Sequence, residues 1–231
     1  MRNILVIGGS SGIGAAVVDE LKSNANVLAS FNQNSIESKD NNVSYFHYNV
    51  NNDQLDTSTL PEVIDGFVYC PGGIKLLPFG RIKEDQLKQD FDTQVLGAIR
   101  TLQAVLPNLK KSSNASVVFF STVAVQTGFN FHSQIAVSKG AIEGLTKSLA
   151  AEFAPNIRVN AIAPSLTQTP LTEKLLNSPE KIEANSNRHP LKKIGQPENI
   201  ADLTAFLLSD KAEWITGQII HIDGGIGSIK N

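Results

Sequence analysis

Short runs of β-branched and other apolar residues alternate along the chain with longer segments in which apolar residues recur every three or four positions. This alternation predicts parallel strands joined by crossover helices. The predicted strands cover residues 2–7, 26–31, 43–48, 65–70, 115–121, 157–163 and 218–222. The predicted helices cover residues 13–23, 84–110, 134–153 and 197–208, with a shorter pair around 170–186. We therefore expect an α/β fold built on a doubly wound parallel sheet of about seven strands.

One connection is much longer than the others, because no strand is predicted between Ser165 and Gln196. A connection of this length in a compact domain is usually functional, so we expect residues 165–196 to form a substrate lid. Four apolar residues in it recur at helical spacing and fit either core packing or a pocket wall, and core packing is favoured. They are Leu171, Leu175, Leu176 and Ile182. No internal repeat or linker of biased composition divides the chain, so residues 1–231 are predicted to form one domain.

The composition excludes several classes of protein. Hydrophobic residues make up 41% of the chain and charged residues 18%, which favours a folded core over disorder. The formal net charge is −2 and no long block of one sign occurs, so neither nucleic acid nor a membrane is an expected partner. Cys70 is the single cysteine, which rules out an intrachain disulfide and a cysteine-based metal site, and no metal is expected. The chain runs from Met1 directly into a strand without a signal-like segment, so a cytoplasmic location is expected.

A glycine-rich turn follows the first predicted strand and precedes the first predicted helix. Glycines allow a sharp turn and a close backbone approach to a pyrophosphate, whose charge the amides at a helix N-terminus can hold. The alternative is a tight turn with no ligand. The residues predicted to bind a dinucleotide here are Gly8, Ser10, Ser11, Gly12, Ile13 and Gly14.

The spacing of these glycines resembles that of the short-chain dehydrogenase/reductase family. The likeness continues nearly to the C-terminus through residues 67–72, 136–141, 158–164, 215–218 and 223–225. The resemblance implies a single Rossmann-like domain that binds NADP or NAD and exchanges hydride with a small carbonyl or alcohol. It also implies homodimers or homotetramers built on the helices around 92–110 and 134–153 and on the last strand.

The family's catalytic positions depart from their usual residues in this chain. Members use a tyrosine as general acid and base, a lysine four residues later, a serine thirteen residues before the tyrosine, and an asparagine on the preceding helix. The lysine is present as Lys139, whereas the other three positions hold Ile135, Thr122 and Gln94. Isoleucine carries no transferable proton, so the usual proton transfer cannot take place at residue 135. Thr122 keeps a hydroxyl and Gln94 keeps an amide on a longer side chain.

His132 is the candidate replacement for the missing tyrosine, because it lies three residues before Ile135 and seven before Lys139. Imidazole titrates near neutral pH, as a general acid requires. The alternative is a surface or helix-capping histidine. His189 and His47 are weaker candidates and His221 is expected to be structural. None of Tyr45, Tyr48 and Tyr69 replaces the phenol by its position in the sequence.

The resemblance also assigns further cofactor contacts. Asn49 and Val50 correspond to the residues that touch adenine, and Pro71 and Gly72 to the turn after the fourth strand. Lys139 binds ribose hydroxyls, while Pro164, Thr167 and Thr169 belong to the turn that meets the nicotinamide carboxamide, with Ser165 in place of a glycine. Residues 29–35, at the end of the second strand, contain no carboxylate to accept a ribose 2′-hydroxyl, which favours NADP over NAD. No arginine is adjacent to bind a 2′-phosphate, so NAD is not excluded.

Two functions follow from these observations. The first is an oxidoreductase with an atypical proton donor and a small-molecule substrate. The alternative is a non-catalytic NAD(P)-binding protein with a regulatory or structural role, which explains Ile135 directly. For assembly, Ala141, Leu145 and Leu149 recur on one helical face, part of which we expect to meet a partner subunit.

Overall fold

Seven parallel strands form one sheet in the computed structural model, which describes residues 1–33 and 35–229. The strands are β1 (Arg2–Ile7), β2 (Ala25–Phe31), β3 (Val43–His47), β4 (Gly66–Tyr69), β5 (Ala115–Phe120), β6 (Ile157–Pro164) and β7 (Ile219–Ile222). Their order across the sheet is β3-β2-β1-β4-β5-β6-β7. The predicted fold class is confirmed, and the predicted strand ends agree with the observed ones to within one residue.

The helices are α1 (Gly12–Leu21), α2 (Glu84–Phe91), α3 (Gly97–Leu109), α4 (Ala124–Thr127), α5 (Ser133–Phe153), α6 (Pro179–Asn187) and α7 (Pro197–Leu208). The continuous helix predicted over 84–110 is interrupted by a π-helical segment, Asp92–Leu96. Tyr69 contacts this segment, since its hydroxyl donates to the Thr93 carbonyl at 2.6 Å. That hydroxyl would be only 2.4 Å from a Cβ at Gly97. The interruption therefore coincides with a tertiary contact that helical periodicity does not reveal.

Both faces of the sheet are buried, which explains why its strands read as nearly continuous apolar runs. Along β1, Leu5 and Ile7 point to one face, and Ile4 and Val6 point to the other, as the two-residue repeat of a strand requires. Helices α3 and α5 cover the first face and α1 and α7 cover the second. Polar side chains can therefore gather only where the strands end.

The order of the strands reverses beside β1. The chain first extends the sheet through β2 and β3 and then returns to place β4 on the other side of β1. The connections that follow β1 and β4 run in opposite directions, which leaves a crevice at the carboxyl ends of these strands. The glycine-rich turn after β1 lies at this point.

The apolar face identified on α5 is used within the chain. Ala141, Leu145 and Leu149 are partly buried and pack against the core cluster that includes Ile142 and Val159. Association of this helix with a partner subunit stays a prediction.

The connection over 165–196 contains a 3₁₀ turn (Pro170–Leu175) and α6. Its two ends are joined by a parallel bridge between Thr167 and Gly195. Leu176 is buried, but Leu171 is 52% exposed and Ile182 is 38% exposed. Core packing is therefore the wrong interpretation for these two side chains, because the connection has too few neighbours on its outer side to bury them.

The described residues were also compared with the requirements of a membrane-spanning helix and of a metal site. Within residues 1–33 and 35–229, no helix has both the length and the apolar character that crossing a membrane requires. The same part of the chain contains no group of three or more histidine, cysteine, aspartate or glutamate side chains arranged to bind a metal ion.

The packing of α5 can be tested at Ile142, which is 1% exposed between this helix and the sheet. We expect Ile142→Ala to lower the free energy of unfolding by about 2–5 kcal/mol, because it leaves a cavity in a buried site. Urea denaturation of Lys147→Ala provides the control, since Lys147 is on the exposed side of the same helix. If both substitutions changed the free energy of unfolding by the same small amount, the packing of Ile142 between α5 and the sheet would be contradicted.

Candidate functional site

A cavity of about 650 Å³ opens at the carboxyl ends of β1, β4, β5 and β6. Every residue predicted from the sequence to bind the cofactor or act in catalysis lines it. Residues from the glycine-rich turn at one end and from the 165–196 connection at the other are thus brought into a single space. The chain also supplies several lining residues that the sequence did not single out.

The glycine-rich turn is shaped by close backbone approaches. Gly8 and Gly12 have positive φ angles of 78° and 53°, in the left-handed region that favours glycine. A Cβ at Gly14 would lie 2.1 Å from the Gly8 carbonyl oxygen, so a side chain cannot be accommodated there without moving the turn. The Ser11 side chain does not cap α1, and no acidic residue lies in its first turn. These glycines and the uncapped helix N-terminus fit the pyrophosphate of a dinucleotide.

The adenosine end of the cavity is polar and uncharged. Ser30 accepts a hydrogen bond from the Gly8 amide at 2.9 Å, and Asn32, Gln33 and Asn49 lie along the lining beyond it. Asn34 belongs to the same stretch of sequence but lies outside the described residues. The side chains that are described here offer hydrogen bonds to a ribose or to a phosphate without repelling either.

Asp90 forms a hydrogen-bonded cluster behind the cavity. Its carboxylate accepts from the Gln94 amide at 2.7 Å and from the Ser138 hydroxyl at 2.6 Å. Because a carboxylate only accepts, the Gln94 amide must direct its NH₂ group toward Asp90 and its oxygen away. That oxygen, Oε1, is buried without a hydrogen-bond partner among the described residues.

Gln94 and Lys139 converge above Gly72. A Cβ at Gly72 would lie 3.1 Å from Gln94 Oε1 and 3.7 Å from Lys139 Nζ. Burial of the ammonium lowers the pKa of Lys139 to about 8, and the Asp90 carboxylate opposes part of this shift. An unsatisfied acceptor and a desolvated ammonium side by side are ready to share a polar ligand group, such as a hydroxyl.

Thr122 and Ile135 lie on either side of the predicted reaction centre. Both line the cavity, and Ile135 is buried one helical turn before Lys139. The neighbouring Ser121 donates to Glu143 at 2.6 Å, which ties the end of β5 to α5 and so fixes the backbone that carries Thr122. The side chain of residue 135 presents only hydrocarbon.

His132 is half-buried at the N-terminus of α5, where it is the residue before the first helical one. Its Nδ1 lies 2.8 Å from the Asn130 carbonyl oxygen, so in the neutral ring Nδ1 carries the hydrogen. Nε2 is then the nitrogen left for a second partner. The ring also packs against Phe129, with the centroids 5.5 Å apart.

The chain's three tyrosines are Tyr45, Tyr48 and Tyr69, of which Tyr48 lines the cavity. The Tyr48 hydroxyl is paired with Thr101 at 3.0 Å, and the Tyr69 hydroxyl is paired with Thr93. Burial raises the pKa of Tyr69 and raises that of the Cys70 thiol to about 12. Tyr45 packs at the edge of the core. With their pKa values raised, neither Tyr69 nor Cys70 donates a proton readily near neutral pH.

Sequence reasoning missed three residues around this cavity and underrated a fourth. Asp90 and Ser138 were missed because their partnership joins two separate helices, and Arg188 because an exposed arginine is common. His189 was ranked low, yet it is 3% exposed and its Nε2 is 2.8 Å from the Ser165 hydroxyl. The one signal available was Ser165 itself, which stands where the family pattern has glycine.

The amino-acid sequence is similar to those of several known reductases. A sequence profile described as "Enoyl-(Acyl carrier protein) reductase" matches residues 8–227. A tropinone reductase homologue of Arabidopsis thaliana is 34% identical over 97% of this chain and 91% of its own length. A 3-oxoacyl-[acyl-carrier-protein] reductase of Thermotoga maritima is 40% identical over 63% of this chain and 59% of its own length.

Solved structures show the same similarity. The ligand-free aldohexose dehydrogenase of Thermoplasma acidophilum superposes with a TM-score of 0.91 at 27% identity, covering 100% of this chain and 96% of that one. The structure of ElxO with NADP bound gives a TM-score of 0.90 at 26% identity, covering 99% of both chains. The fold described above is therefore shared with a dehydrogenase and with a protein whose structure holds NADP.

The short distance between Gly14 and the Gly8 carbonyl oxygen predicts that adding a methyl group at residue 14 impairs dinucleotide binding. We expect Gly14→Ala to abolish detectable binding of NADPH and NADH, because its Cβ would collide with the Gly8 carbonyl. Titration calorimetry measures the affinities, and circular dichroism checks that the variant is folded. Gly80→Ala is the control, since a Cβ there meets nothing within 4 Å. Unchanged affinity in Gly14→Ala would contradict the prediction.

The charge on Asp90 predicts a shift in the titration of Lys139. The carboxylate favours the ammonium, so Asp90→Asn should lower the pKa of Lys139 further, by roughly one pH unit. NMR titration of ¹³C-labelled lysine, assigned with Lys139→Arg, measures this pKa directly. Asp92→Asn is the control, because Asp92 is paired with Arg100 in an exposed ion pair. A titration midpoint that stays near 8 in Asp90→Asn would show that Asp90 does not act on Lys139.

Proposed function

Because the chain belongs to the short-chain dehydrogenase/reductase family, we propose that it is an NAD(P)-dependent oxidoreductase that acts on a small carbonyl or alcohol substrate with an atypical proton donor. The observation that carries the proposal is the shared cavity. Lys139, Thr122, Gln94 and His132 line the same space as the glycine-rich turn. A bound nicotinamide would supply or accept the hydride there.

Three residues of the chain bind the cofactor or orient the substrate. Lys139 holds the nicotinamide ribose by its charge and its hydrogen bonds. Gln94, oriented by Asp90, offers its buried oxygen to Lys139 or to a hydroxyl beside it. Thr122 orients the substrate oxygen with its hydroxyl. The cofactor we favour is NADP, because Asn32 and Gln33 lie at the adenosine end and no carboxylate is described in that part of the lining.

His132 is the proposed proton donor. With Nδ1 held by the Asn130 carbonyl, the protonated ring can release its second proton from Nε2. During carbonyl reduction this proton would pass to the substrate oxygen, and in alcohol oxidation the neutral ring would accept it.

The alternative is a non-catalytic NAD(P)-binding protein, and the observation that favours it is Ile135. A protein that only binds the dinucleotide needs the glycine-rich turn and Lys139, but it needs no proton donor. Assembly into a homodimer or homotetramer and a small-molecule ligand are proposed for either function.

Loss of His132 should separate the two functions. A panel of small ketones, aldehydes and alcohols with NADPH or NADP is followed by nicotinamide absorbance. We expect His132→Ala to reduce turnover about 10²–10⁴-fold, the usual effect of removing a positioned general acid.

Two outcomes would contradict the proposal. Full turnover by His132→Ala would exclude this residue as the donor. Absence of hydride transfer across the panel, with activity created by Ile135→Tyr, would favour the non-catalytic alternative. His47→Ala is the control for histidine loss, because His47 lies outside the cavity in an exposed pair with Asp53.

A further inference from the structure

The lining of the cavity is free of negative charge. None of the described residues that line it is aspartate or glutamate, although the chain as a whole has a formal charge of −2. The lining contains one permanent cation, the guanidinium of Arg188, and one ammonium, that of Lys139. A cavity with this charge distribution favours anions. The proposed function uses Lys139 and the N-terminus of α1 at the cofactor end, but it leaves Arg188 at the other end unexplained.

Arg188 is held in a defined position beside the proposed proton donor. Its guanidinium carbon lies 5.6 Å from the centroid of the Phe129 ring, and the same ring packs against His132. Phe129 therefore separates a permanent cation from the imidazole on one wall of the cavity. Stacking on an aromatic ring occupies the face of a guanidinium and leaves its N–H edges available for a ligand.

The guanidinium also lacks an acidic partner. Among the described residues no carboxylate lies within 4.0 Å of it, and its one side-chain hydrogen bond is a long contact of 3.4 Å to Asn185 Oδ1. Asn185 itself lines the cavity. Most of the hydrogen-bonding capacity of Arg188 is therefore not used by the described residues of the protein.

The backbone that carries Arg188 is anchored by the next residue. His189 is 3% exposed, and its two ring nitrogens lie 2.8 Å from the Ser165 hydroxyl and from the Asn185 carbonyl oxygen. The ring also packs against Gly224. These contacts fix the end of α6 to the carboxyl end of β6. Arg188 is exposed, but its backbone is held by these contacts and its guanidinium lies over Phe129.

The cavity lining also includes apolar side chains. Leu171, Leu175 and Ile226 belong to it, and so does Ile135, one helical turn before Lys139. A ligand that spans the cavity needs a hydrocarbon segment between its reacting carbon and its charged group.

We propose that the substrate is a carbonyl or alcohol compound that carries a carboxylate, and that this carboxylate binds Arg188. Its apolar segment would lie against Leu171 and Leu175, with the reacting oxygen near Thr122 and His132. A carboxylate fits better than a phosphate because the site offers one planar guanidinium and one positive charge. This inference rests on the proposed function for the reaction, but not for the binding of the anion.

The test compares a keto acid with its methyl ester and with a phosphate analogue of similar length. Arg188→Gln removes the charge with little change in side-chain size, and Arg188→Lys keeps the charge without the planar fork. We expect Arg188→Gln to raise KM for the keto acid about 10–100-fold, the range of a lost charge-assisted hydrogen bond, with kcat changed little. Arg188→Lys should recover part of the loss. KM for the ester should not change in either variant.

Lys193→Gln is the matched control, because Lys193 is exposed on the same connection but lies outside the cavity. It should leave KM for the keto acid unchanged. The affinity for NADPH should also be the same in Arg188→Gln and in the unchanged protein. A loss of NADPH affinity in Arg188→Gln would mean that Arg188 binds the cofactor, and it would overturn the proposal.

Calorimetric titration of the keto acid into the protein saturated with NADP separates this inference from the proposed function. Binding that depends on Arg188, without any turnover, would support the anion site while the proposed reaction fails. Turnover or binding that is equal for the acid and the ester, and unaffected by Arg188→Gln, would overturn the anion site while the reaction stands. Tighter Arg188-dependent binding of the phosphate analogue would overturn the assignment to a carboxylate.

Discussion

Burial of the parallel sheet on both faces is the constraint on which the rest of the molecule depends. Helices α1 and α7 cover one face and α3 and α5 the other, so the strands interior to the sheet carry apolar side chains in both directions. Unpaired polar groups are costly inside such layers. The chemistry of the protein is therefore confined to the edge where the strands end. The reversal of strand order beside β1 opens that edge into a cavity.

The electrostatics of the cavity follow from what lies in its lining and what lies behind it. The described lining residues include no carboxylate, whereas Asp90 stands one layer back, held by Gln94 and Ser138. A negative charge in that position supports the ammonium of Lys139 without competing with an anionic ligand for space. The same carboxylate decides which end of the Gln94 amide faces the cavity.

Ile135 places a hydrocarbon side chain in the cavity lining, one helical turn before Lys139. The helix that carries it still presents Lys139 one turn later, and the sheet still places Thr122 opposite. The wall formed by His132, Phe129 and Arg188 adds an imidazole and a guanidinium at the substrate end. The chemical character of the cavity is thus set by a few side chains at the rim of the sheet, while the core is occupied by packing.

The sequence by itself determined the order of strands and helices, the glycine-rich turn and the residues that line the cofactor end. These features depend on local periodicity and on glycine at fixed spacing, which are visible within short windows of sequence. The interruption of the long helix at Asp92–Leu96 was not visible, because it coincides with a contact from Tyr69 on a neighbouring strand.

The partnership of Asp90 with Ser138 and the placement of Arg188 over Phe129 were decided only by the tertiary structure. Each joins residues that are about fifty or more positions apart. Their geometry is set by how α2 packs on α5 and by how His189 anchors the end of α6. A local pattern cannot encode such contacts, because they arise only when separate elements are packed against one another.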